Sequence, residues 1–147
     1  MRVVCDTNVL IRAAINPNGL AAELLHRIRS SHVLVASLPL LSEVLVVLRR
    51  PKIQALHGLD ERGIRRYVSA LYNAAAMVHV PHPVPRVVPH VPKDDPILIT
   101  AIGGKANDLA TRDQHLFHPD VLKIAASYGV RIISDDALLA ELRAPGS

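Results

Sequence analysis

Tryptophan is absent from this chain of 147 residues, phenylalanine and cysteine occur once each, and aromatic residues make up only 3 %. Each shortage removes a class of protein. With 50 % hydrophobic residues but few rings, the core must be built from Leu, Val, Ile and Ala, a composition that favours buried parallel strands covered by helices. A lone Cys5 forms no internal disulfide, and no zinc-type cysteine spacing exists, which excludes disulfide-stapled scaffolds and zinc fingers and fits a reducing interior. Cys5 lies in an apolar run and reads as a small buried hydrophobe. No stretch of about 18 consecutive apolar residues is present, and Asp6 falls where a signal peptide would need its apolar segment. The chain reads as a soluble, cytoplasmic single domain over residues 1–147, long enough to bury about two thirds of its unfolded surface. It also lacks a Gly-rich phosphate loop and any Ser-His-Asp or Cys-His constellation, which removes P-loop enzymes and nucleophilic hydrolases.

The formal net charge is +4, carried mostly by arginine. Arginine suits phosphate recognition better than lysine does, although a mild excess alone describes a solvated surface as readily as a nucleic-acid partner.

Apolar spacing gives a strand and helix rhythm. Arg2 to Cys5 reads as a strand. Leu20 to Arg29 reads as a helix after the Asn16-Pro-Asn-Gly19 turn, and His32 to Ala36 as a second strand. Leu38 to Arg49 is a helix with Leu41, Val44, Leu45 and Leu48 on one face, stopped by Pro51. Asp60 caps a helix running to about Ala75, and Met77 to Val80 is a third strand. Residues 81 to 96 contain six prolines and form an extended linker inside the domain. Asp95-Pro96 then starts a helix that Gly103-Gly104 ends. Asp108 to Thr111 is a fourth strand, Pro119 to Tyr128 a helix, Val130 to Ile133 a fifth strand and Asp135 to Leu142 a closing helix. The pattern predicts an α/β sandwich with a mainly parallel sheet.

Ligands of such sheets bind at the carboxyl ends of the strands, where this chain places acids repeatedly. Asp6 follows the first strand, Asp113 the fourth, Glu43 sits in the second turn of the helix after the second strand, and Asp95 opens the helix before the fourth. Two like charges about 4 Å apart repel by about 4 kcal/mol at an effective dielectric near 20, so a cluster needs a proton or a cation. All-oxygen ligands select hard ions such as Mg²⁺ or Mn²⁺. Taken singly, Asp6, Asp95 and Asp113 also read as caps or turn residues, and Glu43 as a solvated helix flank.

Four segments, in order, resemble the PIN-domain family: Asp6-Thr-Asn-Val-Leu10, Ser37-Leu-Pro-Leu-Leu-Ser-Glu43, Lys93-Asp-Asp-Pro-Ile-Leu-Ile-Thr-Ala101 and Ala106-Asn-Asp-Leu-Ala-Thr-Arg-Asp113. The similarity runs from about residue 2 to residue 142. It implies a Rossmann-like three-layer sandwich with a five-stranded sheet in the order 3-2-1-4-5, and a divalent-metal site that cleaves single-stranded RNA. Asp6, Glu43 and Asp113 match the first, second and fourth acids. The third is Asp95 or Asp94, with Asp95 preferred because it directly precedes the apolar helical turn. Asn8, Thr111 and Ser37 match polar positions lining the site. Where many members carry a further acid, two residues past the fourth, this chain has His115, so one Mg²⁺ or Mn²⁺ is expected to be well held and a second only with substrate. His115 and His118 as a transition-metal pair is the weaker reading beside satisfied turn histidines.

The resemblance is nearest to stand-alone PIN proteins of toxin-antitoxin systems, related to VapC, which implies a small antitoxin partner, a homodimer and no membrane. Arg12 and Arg112, with Arg49, Arg50 and Lys52, are candidates to guide the RNA backbone. Two other readings stay open. One is a catalytically weak or inactive PIN module that binds RNA or a protein. The other is a phosphatase-like or receiver-like domain, which would want an Asp-x-Asp motif or a strand-end lysine, and neither is evident in the sequence.

Overall fold

A computed structural model describes residues 1–88 and 95–145. The first apolar run forms β1 (Arg2–Cys5), in which Val3, Val4 and Cys5 are wholly buried. Successive strand side chains point to opposite faces, so three buried in a row mean that both faces of β1 are covered. Burial pushes the Cys5 thiol up to about 12, with smaller contributions from Asp135 and Asp6, which leaves it inert as a nucleophile.

The other strands are β2 (Val33–Ser37), β3 (Ala76–Val78), β4 (Asp108–Ala110) and β5 (Arg131–Ile133). They form one sheet in the order β3-β2-β1-β4-β5. Every neighbouring pair is parallel, with Val4 opposite Val35 on one side and Leu109 on the other. This is the α/β architecture and strand order expected. β3 stops two residues short of the expected Val80 because its partner runs out: Val78 lies opposite Ser37, where β2 gives way to a helix.

The helices are α1 (Thr7–Ile15), α2 (Leu20–Ser31), α3 (Leu38–Leu48), α4 (Pro51–His57), α5 (Glu61–Ala74), α6 (Asp95–Gly103), α7 (Pro119–Ser127) and α8 (Asp135–Arg143). Two of these depart from the sequence expectation. α1 starts directly after Asp6 and buries Val9, Leu10, Ala13 and Ala14, a stripe of helical spacing too short to stand out before Asn16-Pro17. At Pro51 the chain does not simply stop. α3 ends at Leu48, and Pro51 opens α4 from its first helical turn, where a missing N–H costs nothing.

Asp60 caps α5 as expected, its Oδ1 accepting from the Gly63 N–H at 2.7 Å. The Gly103-Gly104 stop has a steric reason at its second residue. A Cβ on Gly104 would lie 2.5 Å from Val35 Cγ1 and 2.8 Å from Val78 Cγ2, so only glycine lets the end of α6 lie against β2 and β3. Among the described residues no helix is long and apolar enough to cross a membrane.

Ser37 joins the sheet to α3. It is fully buried, caps α3 toward the Leu40 N–H, and shares a 2.7 Å hydroxyl hydrogen bond with Thr100 of α6. Ser37→Ala removes both the cap and the bond and is expected to lower unfolding free energy by about 1–2 kcal/mol in urea titrations.

Candidate active site

The parallel pairing of β1 with β4 builds the site. Cys5 lies opposite Ala110, so the next residues, Asp6 and Thr111, emerge side by side at the carboxyl edge, where the Asp6 N–H donates to the Ala110 carbonyl at 2.9 Å. Asp6 then serves as N-cap of α1. Its Oδ1 accepts from the Thr7 N–H at 2.7 Å, and its Oδ2 accepts from the Thr111 hydroxyl at 2.7 Å. The same hydroxyl oxygen accepts from the Asp113 N–H at 3.0 Å. Thr111 therefore ties the first acid to the loop that carries the fourth, and Asp113 itself caps a 3-10 turn (Gln114–Phe117) through the His115 N–H.

Glu43 arrives from α3. Its helix buries Leu40, Leu41, Val44 and Leu48, which leaves Glu43 on an exposed flank. Asp6, Asn8, Glu43 and Asp113 line one cavity, walled by Pro39, Leu40, Pro96 and Ile97. Burial raises the Asp6 carboxyl above its ordinary value. The Thr111 and Thr7 hydrogen bonds oppose this, while the Asp113 and Glu43 charges add to it. The negative charges of Asp113 and Glu43 thus reach Asp6, where a cation in the cavity would offset them.

The chain matches the PIN domain over residues 2–115. It belongs to the PIN-domain family. No curated protein and no solved structure matches it. PIN domains are typically metal-dependent nucleases and generally use Mg²⁺. The matched stretch holds Asp6, Glu43, Asp95, Thr111 and Asp113 and ends at His115, so α7, β5 and α8 lie beyond it.

The donors of this PIN domain fit a hard divalent ion in type, being carboxylate and amide oxygens without cysteine or histidine. Among the described residues no three acid, histidine or cysteine side chains converge closely enough to hold one ion. Asp6 and Asp113, tied together through Thr111 at one cavity, fit Mg²⁺ in that it takes one or two carboxylates and keeps several waters.

Other expected site residues are placed differently. Asn8 lines the cavity, and Thr111 is buried beneath it as the bridge just described. Ser37 does not line it, because its hydroxyl is enclosed between α3 and α6. Asp95 is not brought to the other acids either. Its neighbours Pro96 and Ile97 reach the cavity wall, but its buried carboxylate turns to the proline-rich strap: Oδ1 accepts from the Val87 and Val88 N–H groups, and Oδ2 lies 3.0 Å from Arg86 Nε. Asp94 lies outside the described residues. His115 meets Asp113 only through its backbone, and the His118 ring accepts from the Asp120 N–H as the cap of α7.

Of the proposed RNA guides, Arg49 is paired with Glu61. Arg12 and Arg112 both reach Asp135, a buried residue at the start of α8 that sequence reasoning passed over as part of a closing helix. The only signal was its place after a strand, as with Asp6 and Asp113.

Two outcomes follow from these placements. Asp95→Asn loses the charge facing Arg86 and is expected to lower the melting temperature by several degrees, the result of about 1–2 kcal/mol in a domain of this size, while divalent-ion binding measured by calorimetry stays unchanged. The second concerns pH. Burial pushes Asp135 up, but the Arg12 and Arg112 hydrogen bonds together hold it below the ordinary value of 3.8. Its contribution to stability is therefore complete above that value and is lost as the pH falls through the lower folded one. The acid limb of the stability profile is expected to be shallower in Asp135→Asn than in the wild type, as measured by melting between neutral and strongly acidic pH.

Proposed function

We propose that this PIN domain is a divalent-metal-dependent endoribonuclease that cleaves single-stranded RNA in the cytoplasm. The observation that carries the reading is the Asp6–Thr111–Asp113 bridge beside Glu43 in one cavity at the carboxyl edge of a parallel sheet. Asp6 and Asp113 would hold the ion, with waters and substrate phosphate oxygens filling its other positions, and Glu43 would add its charge from the cavity wall. When bound, a divalent cation neutralises charge on the phosphodiester and acidifies water at the site. The protein's own contribution is orientation. Thr111 fixes one Asp6 oxygen and the backbone of Asp113, the Thr7 N–H fixes the other Asp6 oxygen, and the parallel strands keep both acids in register. Preset charges of this kind need no rearrangement when the reaction occurs. The arginine-rich net charge of +4 favours a polyanionic substrate.

The biological setting we propose is that of a toxin held by a small antitoxin, with the nuclease acting as a homodimer. This rests on the resemblance of the four acid-bearing segments to the stand-alone PIN toxins. It predicts that the product of a short adjoining reading frame binds the enzyme stably and suppresses cleavage.

Purified protein is expected to cut single-stranded RNA with Mg²⁺ or Mn²⁺ and to stop in EDTA. Asp6→Asn and Asp113→Asn are each expected to lower kcat by about 100-fold or more. Mg²⁺ should also raise the melting temperature of the wild type and not of Asp6→Asn. Cleavage by Asp6→Asn at the wild-type rate would sink the assignment. RNA binding without cleavage by the wild type would favour a non-catalytic binding module instead.

A further inference from the structure

Two segments each carry a residue of the acid cavity and an arginine close behind it. On α1, Arg12 lies one turn after Asn8, and after β4, Arg112 directly precedes Asp113. Both arginines line a second cavity, which includes Ile11, Ile15 and Ile53 and shares Asn8 and Asp113 with the first. The two cavities therefore adjoin at those residues. One carboxylate joins the two guanidinium groups: Asp135 Oδ2 accepts from Arg12 Nη1 and Oδ1 from Arg112 Nε, each at 2.6 Å. The Asp135 side chain is 2 % exposed, against 32 % for Arg12 and 52 % for Arg112, so a hidden anion holds two cations that reach solvent.

Two guanidinium groups also share one carboxylate at Glu23 and at Glu61, but those acids are partly exposed, whereas here the shared acid is buried and the arginines border the cavity that Asp113 lines. Neither is saturated. Arg112 makes no other hydrogen bond among the described residues, and Arg12 Nη2 is buried with no acceptor among them. Of the two, the half-exposed Arg112 has donors that an incoming phosphate can reach, in the forked geometry guanidinium groups offer phosphates, and Arg12 adds its positive charge beside it.

We infer that Asp135 is a positioning residue, holding Arg12 and Arg112 side by side to seat a backbone phosphate next to the one at the acids. The inference rests on the nuclease reading for its substrate class. Asp135 acts through the arginines and touches no reacting atom.

The test measures binding of a short labelled single-stranded RNA in EDTA, across a salt series, and cleavage kinetics in Mg²⁺, for the wild type, Asp135→Asn, the Arg12→Ala/Arg112→Ala double variant and the triple variant. Each arginine lost should reduce the slope of log affinity against log salt by about 1. Asp135→Asn should weaken binding and raise KM about tenfold, as for loss of one charged hydrogen bond, with kcat within about twofold. In the double-arginine background, Asp135→Asn should change neither. A merely structural role would lower binding equally in both backgrounds, and that result, or wild-type KM in Asp135→Asn, overturns the inference. Should Asp135→Asn not fold, an unchanged salt slope and KM in the double-arginine variant would overturn it equally. Wild type that binds with the expected arginine dependence yet does not cleave would remove the nuclease reading and leave the seat standing; wild type that does neither removes both.

Discussion

Main-chain pairing between β1 and β4 is the constraint on which the site depends. Parallel strands in register deliver their following residues to the same edge, and here those residues are Asp6 and Thr111. Had the pairing slipped by one residue, every side chain on one strand would have exchanged faces, and the Thr111 hydroxyl would no longer meet the Asp6 carboxylate. Both faces of β1 are covered, so a slip would not expose Val3, Val4 or Leu109 but would press each into packing shaped for its neighbour, and that close packing locks the register. The core thus fixes the chemistry of the edge.

Charge is distributed with the same economy. Asp6, Glu43 and Asp113 share a cavity without a basic side chain among its lining residues, and Asp6 is raised by burial and by its two acidic neighbours. Next to them the sign reverses, where Arg12 and Arg112 converge on Asp135. An anionic pocket adjoining a cationic groove fits the proposed nuclease reading, in which a divalent ion would offset the acids and the arginines would meet the rest of a polyanion's backbone. The C-terminal helix α8 enters this scheme through Asp135, although it lies beyond the stretch matched to the family.

Much of the fold was legible because its signals are local. The β-branched run before Asp6 and the Asp60 cap each act within a few residues, and the structure places elements at both. What was missed was either short or ambiguous. α1 has few turns and no acid in its first one, and Pro51 satisfies the rule for ending a helix as well as the rule for starting one.

The amino-acid sequence by itself determined the aliphatic core and the parallel α/β sheet through its hydrophobic period, while the strand order and the candidacy of Asp6, Glu43 and Asp113 came from the resemblance of four short segments to the PIN family. Only the tertiary structure decided where carboxylates and hydroxyls with several possible partners would turn. Asp95 stands at a helix start in the sequence, yet the proline-rich strap brings the Val87 and Val88 N–H groups and Arg86 to it. Ser37 meets Thr100 across 63 residues, and Asp135 meets Arg12 across 123. A polar group's choice of partner depends on which donors burial leaves within about 3 Å, and that distance is set by packing between segments far apart in the chain.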